Sequence, residues 1–374
     1  MTGRPSPRQI GVAAIAAAIA FACCEVSARL FFPAPPDPTR EPQLVYRYDP
    51  VVKYVLAANQ RGWIDDAMAT VNSLGFRGAE LLFPKPASRF RVVFVGDSVT
   101  FGMGVNDAET FPAQLELLLH TRFPGKDLDV INLGVPGYDT RQEVLLLERY
   151  VASLSPDVVM LGFYTNDVPE ALDDDNSSAA GATKVLTDHP EPGQILHLNQ
   201  LTPHSWLERQ LRRSRAMFVA GRAINRVRGA GEWGMSRFSL ELDMLQGKAS
   251  PSLDAAWSKV AKQLDSLHSL AVDHGFRAGV VALPSRELVM GQYPGDHYVG
   301  RLRDLAASRD ELVVDPLPLL MAAPGKKTAL FIPYDRNHPT AAGDKIIAQA
   351  ILDSMASTGL LRVLAEPGAT ERRP

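Results

Sequence analysis

Cysteine is nearly absent from this chain of 374 residues. The only two, Cys23 and Cys24, are neighbours inside an apolar run, so no disulfide can staple the remainder and its stability has to come from a packed core. An excess of one charge is missing too. The 39 Lys and Arg against 42 Asp and Glu leave a net charge of -3, which gives no reason to expect a nucleic-acid partner. No internal repeat is visible, which excludes a solenoid or array. No Cys/His spacing of the zinc type occurs, and no Gly-x-Ser-x-Gly elbow, which disfavours a structural zinc site and the α/β-hydrolase fold respectively. What is present is an ordinary globular composition, 46% hydrophobic, long enough for one large domain or two average ones.

The exception lies at the front. Arg4 and Arg8 precede an uncharged run from Ile10 to Cys24, and apolar character resumes after Glu25 as far as Phe32. Read as a signal anchor, Ile10 to Phe32 makes about 34 Å of helix, enough to cross a bilayer. Glu25 and Arg29, four apart with the acid first, are then placed to pair and partly neutralise each other near one membrane edge. Read as a cleaved signal peptide, the same stretch offers a small-residue site at Val26-Ser27-Ala28. A cytosolic helix is the third reading, and "FACC" makes a poor lipidation box. Under either of the first two readings the positive N-terminal side keeps the bulk of the chain extracytoplasmic, at the cell membrane or secreted or periplasmic after cleavage.

Residues 33–88, beginning with "PAPPDP", are expected to be a Pro-rich spacer and an irregular segment packed on the main domain. Regular alternation then starts. The sequence predicts strands at 91–96, 128–134, 157–164, 277–283 and 312–317, with helices between them, including one capped by Thr110, one near 252–273 closed by Gly275, and a last one capped by Thr340. Five strands separated by helices make a three-layer α/β/α sandwich on a parallel sheet, over residues 89–360, with a mostly helical insertion at about 168–250 and a flexible tail at 361–374. In such sheets functional groups gather at the carboxyl ends of the strands.

Four groups stand there in order: Gly96-Asp97-Ser98, "NLGVPG" ending at Gly137, Tyr164-Thr165-Asn166-Asp167, and Asp335-Arg336-Asn337-His338-Pro339. A serine hydroxyl is a poor nucleophile without an adjacent base, and histidine is the side chain suited to act as one at neutral pH. Asp335, three residues before His338, can reach the imidazole Nδ1 and leave Nε2 for Ser98. Gly137 has no side chain to keep its N–H from a substrate oxygen, and Asn166 offers an amide donor. Asp97 is better suited to supporting the turn by hydrogen bonds than to the reaction.

On these four blocks the sequence resembles the SGNH or GDSL hydrolases over roughly residues 90–355. The resemblance implies a flavodoxin-like sandwich and no cofactor or metal. It also implies Ser98 as nucleophile, His338 as general base, Asp335 as its orienting partner, and an oxyanion hole formed by the Ser98 and Gly137 N–H groups and the Asn166 side chain. The expected activity is serine esterase hydrolysis of O-acyl bonds through an acyl-enzyme, on an ester-bearing small molecule, a lipid or an acylated glycan. Two alternatives accompany it: an O-acyltransferase or deacetylase working on an envelope or secreted polysaccharide, and a non-catalytic glycan-binding or assembly protein of the same fold. Nothing in the sequence fixes an oligomeric state.

Two features of the insertion have competing readings. The acidic run at 173–175 reads as a solvated loop or a site for a hard cation. Seven arginines between 209 and 228, interleaved with Trp206, Leu207, Leu211, Phe218 and Ile224, read as a cap helix with its arginines in solvent. The other reading is a helix that meets anionic lipid headgroups or an acidic glycan.

Overall fold

The computed structural model describes residues 6–34, 40–64, 66–172, 193–196, 214–228, 232–294, 296–333 and 335–365. The acidic run at 173–175, Arg209, Arg212, Arg213 and residues 366–374 of the expected tail lie outside them. The strands, in chain order, are β1 (Tyr46–Asp49), β2 (Lys53–Leu56), β3 (Gln60–Ile64), β4 (Ala67–Val71), β5 (Phe90–Gly96), β6 (Leu128–Asn132), β7 (Val158–Tyr164), β8 (Ile195–Leu196), β9 (Arg277–Leu283) and β10 (Leu312–Val314).

The central sheet has the order β10-β9-β7-β5-β6 and every pairing in it is parallel. β5 and β7 are buried at every residue, which requires cover on both faces and explains why their sequences, Arg91 apart, are apolar runs rather than alternating. Helices Phe111–Arg122 and Ala341–Ser357 pack together to form one layer, and Thr140–Leu154 with Pro251–His274 the other. The chain leaves β5 for β6 on one side and returns to β7 on the other, so the carboxyl ends of β5 and β7 flank the point where the winding reverses.

Local signals set most boundaries. Thr110 accepts the Ala113 N–H and Pro112 fills the first turn, while Gly275, at φ 71°, ends Pro251–His274. Thr340 is the cap residue of Ala341–Ser357 without the expected side-chain bond, because its hydroxyl donates to the Ala329 carbonyl at 2.9 Å. The last predicted strand is shorter than expected: after Val314 the chain turns, and Leu317–Ala322 is helical.

The largest departure from expectation is the stretch before β5. It is not irregular: β1 and β2 form one antiparallel hairpin, β3 and β4 another. Each strand has only four or five residues, and burial alternates along β2 and β4, as in Lys53–Leu56. Such short alternation is easily lost among turns in a sequence. The hairpins are tied to the main domain by the two-pronged Arg149–Asp49 pair, at 2.9 and 2.8 Å, and by the Gln142 amide, which donates to the Val52 carbonyl at 2.8 Å.

Among the described residues, one helix is long and apolar enough to cross a membrane, Pro7–Phe31, with a mean hydropathy of 2.1. Ser6 caps it through a reciprocal box with Gln9, and it ends just before Pro33. The Glu25–Arg29 pair forms as the spacing predicts, at 2.7 Å.

Candidate active site

β5 hands over to a single helical turn, Ser98–Phe101, whose cap is Asp97: its carboxylate accepts the Val99 N–H at 2.8 Å. Because the neighbour does the capping, the Ser98 hydroxyl is free for other work. Gly96 and Gly162 sit opposite each other across β5 and β7. A Cβ on either would come within 2.0 Å of Thr100 Oγ1. The glycine pair therefore opens a slot that Thr100 fills, and the turn settles directly on the strand ends.

The segment before Ala341–Ser357 brings the base to this turn. Ser98 Oγ and His338 Nε2 are 2.8 Å apart, and His338 Nδ1 lies 2.7 Å from Asp335 Oδ2. The other carboxylate oxygen of Asp335 accepts the Asn337 and His338 N–H groups at 2.7 and 3.1 Å, which fixes its orientation. Burial opposes ionisation of Asp335, but the bonds from the His338 ring and these N–H groups outweigh it and hold the carboxyl below its ordinary range. With Asp335 ionised, Nδ1 carries the proton and Nε2 can accept from Ser98.

Gly137 lies beside the turn at φ +82°, a conformation that a side chain would strain. A Cβ there would also meet the Tyr54 hydroxyl at 2.7 Å. That hydroxyl donates to the Pro136 carbonyl at 2.9 Å, so the first hairpin buttresses the loop. The N–H groups of Ser98 and Gly137 have no acceptor among the described residues. The Asn166 side chain, at the end of β7, faces the Asp97 carboxylate and favours its ionised form. Ser98, Gly137 and Asn166 are all half-buried, so they remain reachable from solvent. All five residues singled out in the sequence are thus brought to the carboxyl edge of β5 and β7.

Beneath them lies an acidic layer. Burial pushes Asp97 up, opposed by the Val99 N–H and by His338. Burial, together with the charges of Asp167 and Asp97, pushes Glu143 well up, and burial with Asp97 does the same to Asp167. Neither carboxylate oxygen of Glu143 has a partner among the described residues.

Sequence reasoning missed a clamp around the Asp335–His338 segment. Arg336 donates to Glu287 at 2.6 Å and to Glu241 at 3.0 Å. Glu241, buried on helix Glu232–Leu245 of the insertion, also accepts the hydroxyl of Thr165, next to Asn166, at 2.7 Å. The Tyr164 hydroxyl donates to Asn337 at 3.2 Å, and Arg286 to the Asp335 carbonyl at 3.2 Å. Only the position of Arg336 between the two reactive residues hinted at this, since its partners are remote in sequence. A cavity of about 390 Å³ lies elsewhere, between β6 and the Asn72–Leu81 stretch, and none of its walls comes from Ser98, Gly137, Asn166 or His338.

The sequence profile of the GDSL-like lipase/acylhydrolase family matches residues 94–346 of the chain. Among solved structures, TesA is 13% identical with a TM-score of 0.41, the match covering 71% of this chain and 98% of that one. An acetylxylan esterase from Geobacillus stearothermophilus is 18% identical at a TM-score of 0.38, covering 71% and 94% of the two chains. The esterase EstA from Pseudoalteromonas sp. is 11% identical at 0.38, covering 72% and 97%. No curated protein matches the chain.

Proposed function

For a chain that belongs to the GDSL-like lipase/acylhydrolase family, and so to the serine ester hydrolases, we propose a two-step esterase carried at a membrane by Pro7–Phe31 with its hydrolase domain extracytoplasmic. Ser98 is the nucleophile, His338 the general base and Asp335 the group that positions it. The observation that carries this reading is the continuous chain of contacts from Ser98 Oγ through His338 to Asp335, at 2.8 and 2.7 Å.

In the first step Ser98 Oγ bonds to the carbonyl carbon of the ester while His338 Nε2 takes the hydroxyl proton. The carbonyl oxygen becomes an oxyanion, for which the Ser98 and Gly137 N–H groups and the Asn166 amide are the donors. Collapse breaks the bond to the alcohol oxygen, which leaves with the proton from His338. Water then attacks the acyl-Ser98 carbonyl as His338 takes its proton; the Oγ–acyl bond breaks, His338 returns that proton to Ser98 Oγ, and the acid departs. Asp97 receives one N–H of the Asn166 amide and thereby aims the other, so its role is orientation. Substrates are ester-bearing small molecules, lipids or acylated glycans.

Hydrolysis of a panel of short and long acyl esters by the full chain tests the assignment. Ser98→Ala and His338→Ala should each lower kcat by roughly 10³-fold or more. Unchanged turnover in either folded variant removes that residue from the mechanism.

A further inference from the structure

The described hydrogen bonds of the arginine-rich helix of the insertion go to the apolar N-terminal helix and its end rather than to Ser98 or His338. Its described course, Arg215–Arg228, packs against Pro7–Phe31. The junction is specific. Glu25 of the apolar helix accepts the Ser214 hydroxyl at 2.7 Å and the Arg215 and Ala216 N–H groups at 3.2 and 3.0 Å, which are orphan donors of a helix start. In return the Arg215 guanidinium donates to the Arg29 and Phe32 carbonyls, at 2.8 and 3.0 Å, where the apolar helix ends. Each helix therefore caps the other at the point where Pro7–Phe31 leaves its apolar stretch.

The periodicity of the docked helix is amphipathic. By helical periodicity positions 217, 220, 224 and 227, which are Met, Ala, Ile and Val, share one face, with Arg228 at its margin, while positions 215, 222 and 226, all arginine, fall on the opposite one. A helix covering a soluble core turns its apolar face inward. Here Met217 is 42% exposed and Ala220 is also exposed, so the outward face is the apolar one. It continues the exposed apolar surface of Pro7–Phe31, where Val26, Leu30 and Phe31 are each more than half exposed. An apolar face beside a membrane-crossing helix, with cations opposite it, fits the boundary of a bilayer.

We propose that helix Arg215–Arg228 is an interfacial helix, held by Glu25 on the bilayer that Pro7–Phe31 crosses, with its apolar positions at the acyl boundary and its arginine positions among anionic headgroups. This rests on the anchor reading of Pro7–Phe31 given above. Its consequence is that the insertion, which also supplies Glu241 to the clamp on His338, links membrane contact to the reactive site.

The test uses the full chain in a Cys23→Ala/Cys24→Ala background, reconstituted into phosphatidylcholine vesicles with and without phosphatidylglycerol. An environment-sensitive fluorophore is placed at Met217→Cys or, as a control on the sandwich, at Val272→Cys, which is 69% exposed. The label at 217 should shift to the blue and be quenched by bromolipids, more so with phosphatidylglycerol, and Arg222→Gln/Arg226→Gln should cancel the effect of the anionic lipid. The label at 272 should respond only to aqueous iodide. If the label at 217 behaves like the one at 272 while the chain resists carbonate extraction, the interfacial helix is refuted and the anchor stands. Extraction of the chain by carbonate refutes both. Burial at 217 that ignores lipid charge refutes the headgroup assignment.

Discussion

The two edges of the central sheet handle charge in opposite ways. At the amino edge, Arg91 is fully buried and its guanidinium grips both oxygens of Asp129 at 2.9 Å, while Arg89 meets Asp127 and Lys85 meets Asp157. At the carboxyl edge, Asp97, Glu143 and Asp167 crowd together below Ser98, and their pKa values are pushed up by burial and by one another. Opposite charges lock the amino edge. Acids collect at the carboxyl edge, where Asp97 faces the Asn166 amide and the His338 imidazole.

Removing a partner at the amino edge should have the largest effect on stability. Asp129→Ala strands the buried Arg91 cation and should lower unfolding stability by about 3–5 kcal/mol in a denaturant titration, with the activity of the folded fraction retained. The matching substitution at the carboxyl edge, Asn166→Ala, should do the reverse, costing roughly 10²–10³-fold in kcat with a smaller change in stability. If both variants lose stability and activity together, the division between edges is wrong.

Arg336→Met probes the clamp between the edge and the insertion. Losing its bonds to Glu241 and Glu287 loosens the Asp335–His338 segment, so kcat should fall about 10-fold or more at unchanged KM, and Arg336→Lys should restore part of it. A purely structural role would lower thermal stability and leave kcat of the folded enzyme intact.

The smallest change is expected of Glu143→Gln. The pKa of Glu143 in the folded chain lies well above that in the unfolded chain, because burial and the charges of Asp167 and Asp97 oppose its ionisation. Its contribution to stability is therefore present at low pH and lost as pH rises through the folded-state value. The glutamine variant should match wild type below the ordinary glutamate value of 4.5 and become the more stable of the two as pH rises above it, as melts at a series of pH values will read. A wild type whose alkaline melts equal those of Glu143→Gln would mean that Glu143 is ionised and solvated.

The sequence made the reactive atoms legible because each is announced by its own neighbours. Ser98 follows an Asp that caps its turn, His338 follows its carboxylate by three residues, and apolar runs mark β5 and β7. The buttress at Gly137 and the clamp at Arg336 were not legible, because Tyr54 and Glu241 are respectively 83 and 95 residues away from them in the chain. The two hairpins before β5 were also missed, since four-residue strands leave little periodicity to read. Gly96 was visible as part of a motif, but its reason was not: its role is to make room for Thr100, a contact that depends on Gly162 in another strand.

The central claim is that Ser98 is the residue that bonds to the acyl group, and covalent labelling tests it most directly. A fluorophosphonate incubated with the full chain, followed by peptide mapping, should add one phosphonyl group, on Ser98, and the labelling should vanish in Ser98→Ala and slow sharply in His338→Ala. A folded, unlabelled wild type, or an adduct mapped to any other serine, would contradict the account.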